Sequence, residues 1–205
     1  MARFLSIIFH PLLLPTYLFA IILYVLPESA VTFPREQRWV LLAGIGLVTF
    51  LIPGLGTYVL VRAGVVQSVM LQDREQRRLP LLLTAVCYAA VTYIFRNQNN
   101  LGELFYLTML VITLSVFVTY MVSLFWKISA HSMGMGGALG LLILLNTLLP
   151  ENPLSYLIAL FVLLSGAVMS ARLALNEHDP AQVYTGFLTG LAIGSSMLLI
   201  LLLRA

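Results

Sequence analysis

Residues 104–126 read LFYLTMLVITLSVFVTYMVSLFW, 23 positions without a charge. As an α-helix this stretch rises about 35 Å at 1.5 Å per residue. That slightly exceeds the ~30 Å hydrocarbon core of a bilayer. Backbone groups in lipid have no water to bond, so a lone spanning segment of this kind must be helical. Six further apolar stretches accompany it, at 4–26, 39–62, 80–95, 133–149, 153–172 and 184–203. Those at 80–95 and 133–149 are short for a full crossing. The expectation is an all-α polytopic integral membrane bundle of six to seven transmembrane helices. The first stretch is too long for a signal-peptide core and lacks an A-x-A-like cleavage site, so it reads as retained.

Composition points the same way. Of the 205 residues, 60% are apolar and 9% charged, where soluble domains carry about a quarter charged residues. Such a surface is expected to meet lipid, and membrane lipids are the expected surroundings. The formal net charge is +3, and the scattered Lys and Arg form no patch for nucleic acid. Cys87 stands alone inside an apolar run, which excludes a disulfide framework or a thiolate metal cluster. With no repeat or linker, residues 1–205 read as one integral membrane domain.

The eight acidic residues, Glu28, Glu36, Asp73, Glu75, Glu103, Glu151, Glu177 and Asp179, all fall between the apolar stretches. If each stretch crosses once, the loops sort onto two faces. One face collects the N-terminus and residues 63–79, 127–132 and 173–183, with His10, His131 and His178. The other collects 27–38, 96–103, 150–152 and the C-terminus, without a histidine. The first face holds Arg3, Arg62, Arg74, Arg77, Arg78, Lys127 and Arg172, and the second holds Arg35, Arg38, Arg96 and Arg204. Setting aside Arg74, Arg77, Arg78 and Arg172 as anion-binding candidates leaves three against four. The positive-inside rule then gives no direction.

Two backbone features stand out inside the spans. The small-x-x-x-small spacings Gly136/Gly140, Gly186/Gly190 and Gly190/Gly194 let helices approach closely, and packing within the chain is preferred over dimerisation. Pro53, in Pro53-Gly54-Leu55-Gly56, lacks the N–H that would bond the carbonyl of Thr49, so a kink is expected there.

Three segments on the histidine-bearing face carry candidate chemistry. In Gln72-Asp73-Arg74-Glu75-Gln76-Arg77-Arg78-Leu79-Pro80, a helix would place Arg74 beside Arg77 and Arg78 at i+3 and i+4. Such a fork suits phosphate oxygens, and a basic cluster beside a span also suits anionic lipid. Ile128-Ser129-Ala130-His131 enters the glycine-rich fifth stretch. The third runs from Arg172 through His178 and Gln182 to Gly186.

In this order the segments resemble the three motifs of the type 2 phosphatidic acid phosphatase superfamily, K-x6-R-P, P-S-G-H and S-R-x5-H-x3-D. The motif-bearing region covers residues 72–186. The third motif is closest: Arg172, five residues, His178, three residues, then Gln182 where the family has Asp. Val183 and Gly186 fit the usual continuation. The second keeps Ser129 and His131, with Ile128 and Ala130 for Pro and Gly. In the first, strict spacing puts Gln72 and Leu79 at the family's Lys and Arg, with Arg74, Arg77 and Arg78 available in a shifted register.

The resemblance implies hydrolysis of a lipid phosphomonoester or pyrophosphate through a phosphohistidine, with neither metal nor cofactor. His178 would be the nucleophile, and His131 would protonate the leaving oxygen and later activate water. Arg172, Ser129 and the Arg74/Arg77/Arg78 cluster would neutralise the phosphate oxygens. The phosphorylated lipid would enter from the bilayer, in what the resemblance suggests is a bacterial cytoplasmic membrane. Gln182 is the main departure. If the stretch is helical it lies one turn after His178, where its carbonyl can accept the Nδ1 proton without supplying charge. Glu177 and Asp179 would then point away, leaving Asp73 or Glu75 to provide a carboxylate. His10 has no counterpart in the motifs and reads as structural or interfacial, on the same face as the site. The alternative function is a non-catalytic membrane protein on this scaffold that binds or moves a phosphorylated lipid.

Overall fold

The computed structural model describes every residue except 32, 72, 99, 100, 151, 152 and 203–205, with backbone alone for 197–202. Gln72, Glu151, Arg204 and the last residue of the seventh apolar stretch lie outside the described residues. The described residues form helices joined by turns and loops, without a strand. Its helices are α1 (Ala2–Ile8), α2 (Leu14–Tyr24), α3 (Arg38–Gly46), α4 (Ile52–Arg62), α5 (Arg78–Asn97), α6 (Glu103–Ser123), α7 (Ala130–Leu148), α8 (Ser155–Ala174) and α9 (Pro180–Leu202).

Five continuous helices among the described residues are long and apolar enough to cross a membrane: Arg35–Arg62, Glu75–Asn97, Glu103–Ser123, Ala130–Leu148 and Ser155–Ala174. Their outer faces carry large exposed apolar and aromatic side chains, among them Trp39, Tyr93, Phe117, Tyr156 and Leu163. Aromatic rings near helix ends are suited to the headgroup level of a bilayer. The two stretches expected to be short form helices of 23 and 19 residues. In each, the polar residues ahead of the apolar run continue the helix.

The apolar stretch at 4–26 differs from the expectation of one span. It divides into α1, of seven residues, and α2, of eleven. Pro11 lacks a helical N–H and biases His10 away from the α conformation. At this break the chain passes between two compact units, one comprising Met1–Pro11 with Lys127–Ala205 and the other Leu12–Trp126.

In the unit Leu12–Trp126, Phe19 sits edge-on to Phe95 and stacked on Phe105, with ring centroids 5.9 and 6.0 Å apart. Arg38 is buried and secures the loop before α3. Its guanidinium grips Glu28 through both terminal nitrogens, at 3.1 and 2.6 Å, and also donates to the carbonyls of Leu23 and Phe33. Every nitrogen is thereby satisfied, as a buried guanidinium requires. Between α3 and α4 the expected distortion takes the form of a π-turn at Leu47–Leu51, directly before Pro53. Such turns arise where the i→i−4 ladder is interrupted.

In the other unit, α7 is the most enclosed of the five long apolar helices, with most of its length buried. The glycine spacings explain why. A methyl group at Gly136 or Gly190 would collide with backbone across the α7–α9 contact, with Phe187 and Met133 respectively. Gly140 and Gly194 meet Leu191 and Gly137 in the same way. The glycines of each helix thus receive the backbone of the other, confirming packing within the chain.

Candidate active site

The third motif is built from a helix stop followed by a helix start. At the end of α8, the Glu177 N–H donates to the Arg172 carbonyl and the Asn176 N–H to that of Leu173. This is a Schellman ending, and Asn176 takes the left-handed conformation it requires, at φ +52°. Asp179 then caps α9: its Oδ1 accepts from the Gln182 N–H at 2.8 Å, and Pro180 takes the first helical position. His178 therefore lies in the turn, not on a helix, and is buried between the two caps.

This arrangement corrects the helical reading of Glu177 and Asp179. Because α9 begins only at Pro180, Asp179 faces Gln182, and its Oδ2 accepts from the Gln182 side-chain Nε2 at 2.7 Å. That bond orients the amide so that Oε1 lies 2.8 Å from the Nδ1 of His178. An amide oxygen can only accept, so His178 donates from Nδ1 and its Nε2 carries the lone pair. Glu177 turns toward Arg172, with Oε2 at 3.8 Å from a terminal guanidinium nitrogen.

Ser129 caps α7. Its Oγ accepts from the Ser132 N–H at 3.4 Å and from the Ser132 hydroxyl at 3.0 Å, and its own N–H donates to the Gln182 carbonyl at 3.3 Å. The third bond ties the second motif to the third. Gly186 permits the approach, since a methyl there would stand 2.8 Å from the Ser129 carbonyl oxygen. Two residues after Ser129, His131 donates from Nε2 to the Ser6 carbonyl at 2.9 Å, so its lone pair is on Nδ1.

Ser6, on α1, is a site residue that motif reading does not find. Its carbonyl receives His131 while its hydroxyl accepts from Arg172 at 3.2 Å. A serine in an apolar helix carries no sequence signal of this kind. His10 also belongs here: its ring meets that of His131 edge to face, with centroids 5.6 Å apart and planes at 82°. Burial first, then the Arg172 charge, lowers the pKa of the His10 imidazole below its ordinary value. His131 in turn lies within electrostatic reach of Arg172, His10 and His178. The buried Nε of Arg172 finds no hydrogen-bond partner among the described residues.

The first motif belongs to the unit Leu12–Trp126. A 3₁₀ turn at Glu75–Arg77 precedes α5, so the segment is not one α-helix and the expected fork is not formed. Arg74 donates to the carbonyl of Phe125, and buried Arg77 donates from Nε to that of Leu71 at 2.7 Å. Exposed Arg78 lies 3.8 Å from Glu75, while Asp73 accepts from the Gln76 side chain at 2.9 Å. The structure thus brings together Ser129, His131, Arg172, His178 and Gln182, and gives Arg74, Arg77, Arg78, Asp73 and Glu75 partners within their own unit. Comparison with protein-family models, curated proteins and solved structures returned no match.

Proposed function

We propose that the protein is an integral membrane lipid-phosphate phosphatase working through a phosphohistidine. What carries this reading is a pairing within one unit. His178 has its Nδ1 held by Gln182, so its Nε2 is the nucleophilic nitrogen. Arg172 nearby has a buried Nε without an acceptor. A buried donor left unbonded costs about 1–3 kcal/mol, and a phosphate oxygen would relieve that cost while gaining a charge-assisted bond.

In this scheme Nε2 of His178 attacks phosphorus, and an N–P bond forms as the P–O bond to the lipid breaks. The departing oxygen takes a proton from His131. Nε2 of His131 is committed to the Ser6 carbonyl, so the proton it gives is one that Nδ1 has first taken from solvent. Neutral His131 then takes a proton from water as the water oxygen attacks phosphorus. The N–P bond breaks and inorganic phosphate leaves. Arg172, with Ser129, would balance the charge that develops on the equatorial oxygens. The five long apolar helices, with α9 and the shorter α2, make six to seven membrane segments. We place them in a bacterial cytoplasmic membrane, as the resemblance implies.

The second reading is a non-catalytic protein that binds or moves a phosphorylated lipid. It is favoured by the neutral amide, rather than a carboxylate, in direct contact with His178. Phosphate release by the purified protein from short-chain diacylglycerol phosphate and from polyprenyl pyrophosphate separates the two. Release supports the phosphatase, and binding without release supports the carrier.

A further inference from the structure

The contact between His178 and a neutral amide has a carboxylate behind it. Asp179 holds the Gln182 N–H with one oxygen and the Gln182 side-chain amide with the other, at 2.8 and 2.7 Å, and that amide meets His178 at 2.8 Å. We propose that Asp179 is a positioning residue for His178, acting through Gln182 as a two-link relay in which the carboxylate stands one residue further back than a direct partner would. This deepens the phosphatase reading and rests on it.

Three physical effects converge. Asp179 determines which end of the amide faces the imidazole, because a carboxylate accepts only the NH₂ end. It therefore selects the Nδ1–H tautomer and leaves the lone pair on Nε2. Hydrogen bonds in series polarise one another, so the anion strengthens Oε1 as an acceptor. When His178 becomes cationic on phosphorylation, negative charge behind the amide opposes the gain. Asp179 is exposed, so solvent moderates the last effect. Other charged or titratable groups also face His178. His131, in the first turn of α7, is within electrostatic reach of His178 and of Arg172, and Arg172 in turn pairs with Glu177 of the turn after α8. None of them replaces the orienting bond to Gln182.

The relay makes an unusual prediction for a sequence with Gln at the position of the family's Asp. Gln182→Asp alone should not improve the site, because it sets two carboxylates side by side at the α9 cap. Asp179→Asn removes the charge but keeps a good cap, since Asn is as effective as Asp at that position. The double variant Asp179→Asn/Gln182→Asp reverses the order: a carboxylate then meets His178 directly and an amide holds the carboxylate.

The experiment compares the three variants as purified full-length protein, using phosphate release from short-chain diacylglycerol phosphate. Each single variant should lose about tenfold in kcat, the effect of one hydrogen bond to a charged group. The double variant should recover to within about threefold of wild type. In Asp179→Asn the acidic limb of the pH profile should also move to lower pH, because imidazolium is less stabilised. Full activity in Asp179→Asn, or a double variant no better than that single one, overturns the relay. If the wild type releases no phosphate from any lipid, the phosphatase reading fails by itself. The relay is then judged from the ¹⁵N resonances of the His178 ring. A wild-type Nδ1–H tautomer that becomes mixed in Asp179→Asn supports the relay, and an unchanged spectrum overturns it.

Discussion

The phenolic hydroxyl of Tyr88 donates to the main-chain carbonyl of Thr49 across 2.9 Å, and both residues are fully buried. Thr49 is the residue whose carbonyl Pro53 cannot bond, four positions on. A side chain from α5 thus closes the gap that the proline opens in the preceding helix, while the Thr49 hydroxyl donates to Ile45 at 2.8 Å. In lipid no water is available for this carbonyl, so the donor must come from protein.

Tyr88→Phe should accordingly destabilise the protein by about 1–3 kcal/mol, the cost of a buried acceptor left unbonded. In Pro53→Ala an N–H returns to position 53 and can supply Thr49 itself. Tyr88→Phe should therefore cost less in a Pro53→Ala background, which thermal unfolding in detergent will show as non-additivity. Additive effects would mean that the proline and the tyrosine act independently.

The glycines offer a graded test of helix packing. Gly190→Ala puts a methyl into the backbone of Met133, whereas a methyl at Gly166 or Gly54 has nothing within 4 Å. Overpacking typically costs about 1–3 kcal/mol, while Gly→Ala at an open helical position gains up to about 1 kcal/mol from helix propensity. Melting temperatures should fall for Gly190→Ala and stay level or rise for Gly166→Ala and Gly54→Ala. A tolerated Gly190→Ala would count against close α7–α9 packing.

For the site, His178→Ala should abolish turnover and phosphoenzyme together. His131→Ala should slow turnover while still allowing phosphoenzyme from substrates with good leaving groups. Arg172→Ala should lower kcat more than it raises KM, because its contribution grows as charge develops on phosphorus. Ser6→Ala removes the hydroxyl that Arg172 bonds but keeps the carbonyl that His131 uses. Its effect should follow Arg172→Ala in kind and be smaller. Activity retained in His178→Ala would exclude that residue as nucleophile.

Topology can be tested across one helix. Glu75–Asn97 is long enough for a single crossing. Cysteines placed at Gln67 and at Gln98, in a Cys87→Ser background, should therefore label from opposite sides of intact membranes. Equal accessibility would place both ends of that helix on one side.

Several features were legible in the sequence because they depend on local chemistry. Uninterrupted apolar length determined the helical class and the long membrane helices. Pro53 located the distortion, the glycine spacings located a close helix contact, and the spacing from Arg172 through His178 to Gln182 marked the candidate site. Helix periodicity, by contrast, misplaced Asp179. The Schellman stop at Asn176 and the cap at Asp179 lie between the two helices, and a helical count cannot run through them. The arginines at 74, 77 and 78 do not form the expected fork because each turns to a different partner, Phe125, Leu71 and Glu75.

The sequence by itself determined which segments could enter a membrane and which residue types could handle phosphate, because burial preference and acid–base character belong to the side chains. Only the tertiary structure decided their partners. It brought Ser6 from the N-terminal helix to His131 and Arg172, gave the Thr49 carbonyl a hydrogen-bond donor in Tyr88, and set Asp179 behind Gln182. Hydrogen bonds are directional and short-ranged. Their partners depend on how helices terminate and pack, and linear spacing carries no record of that.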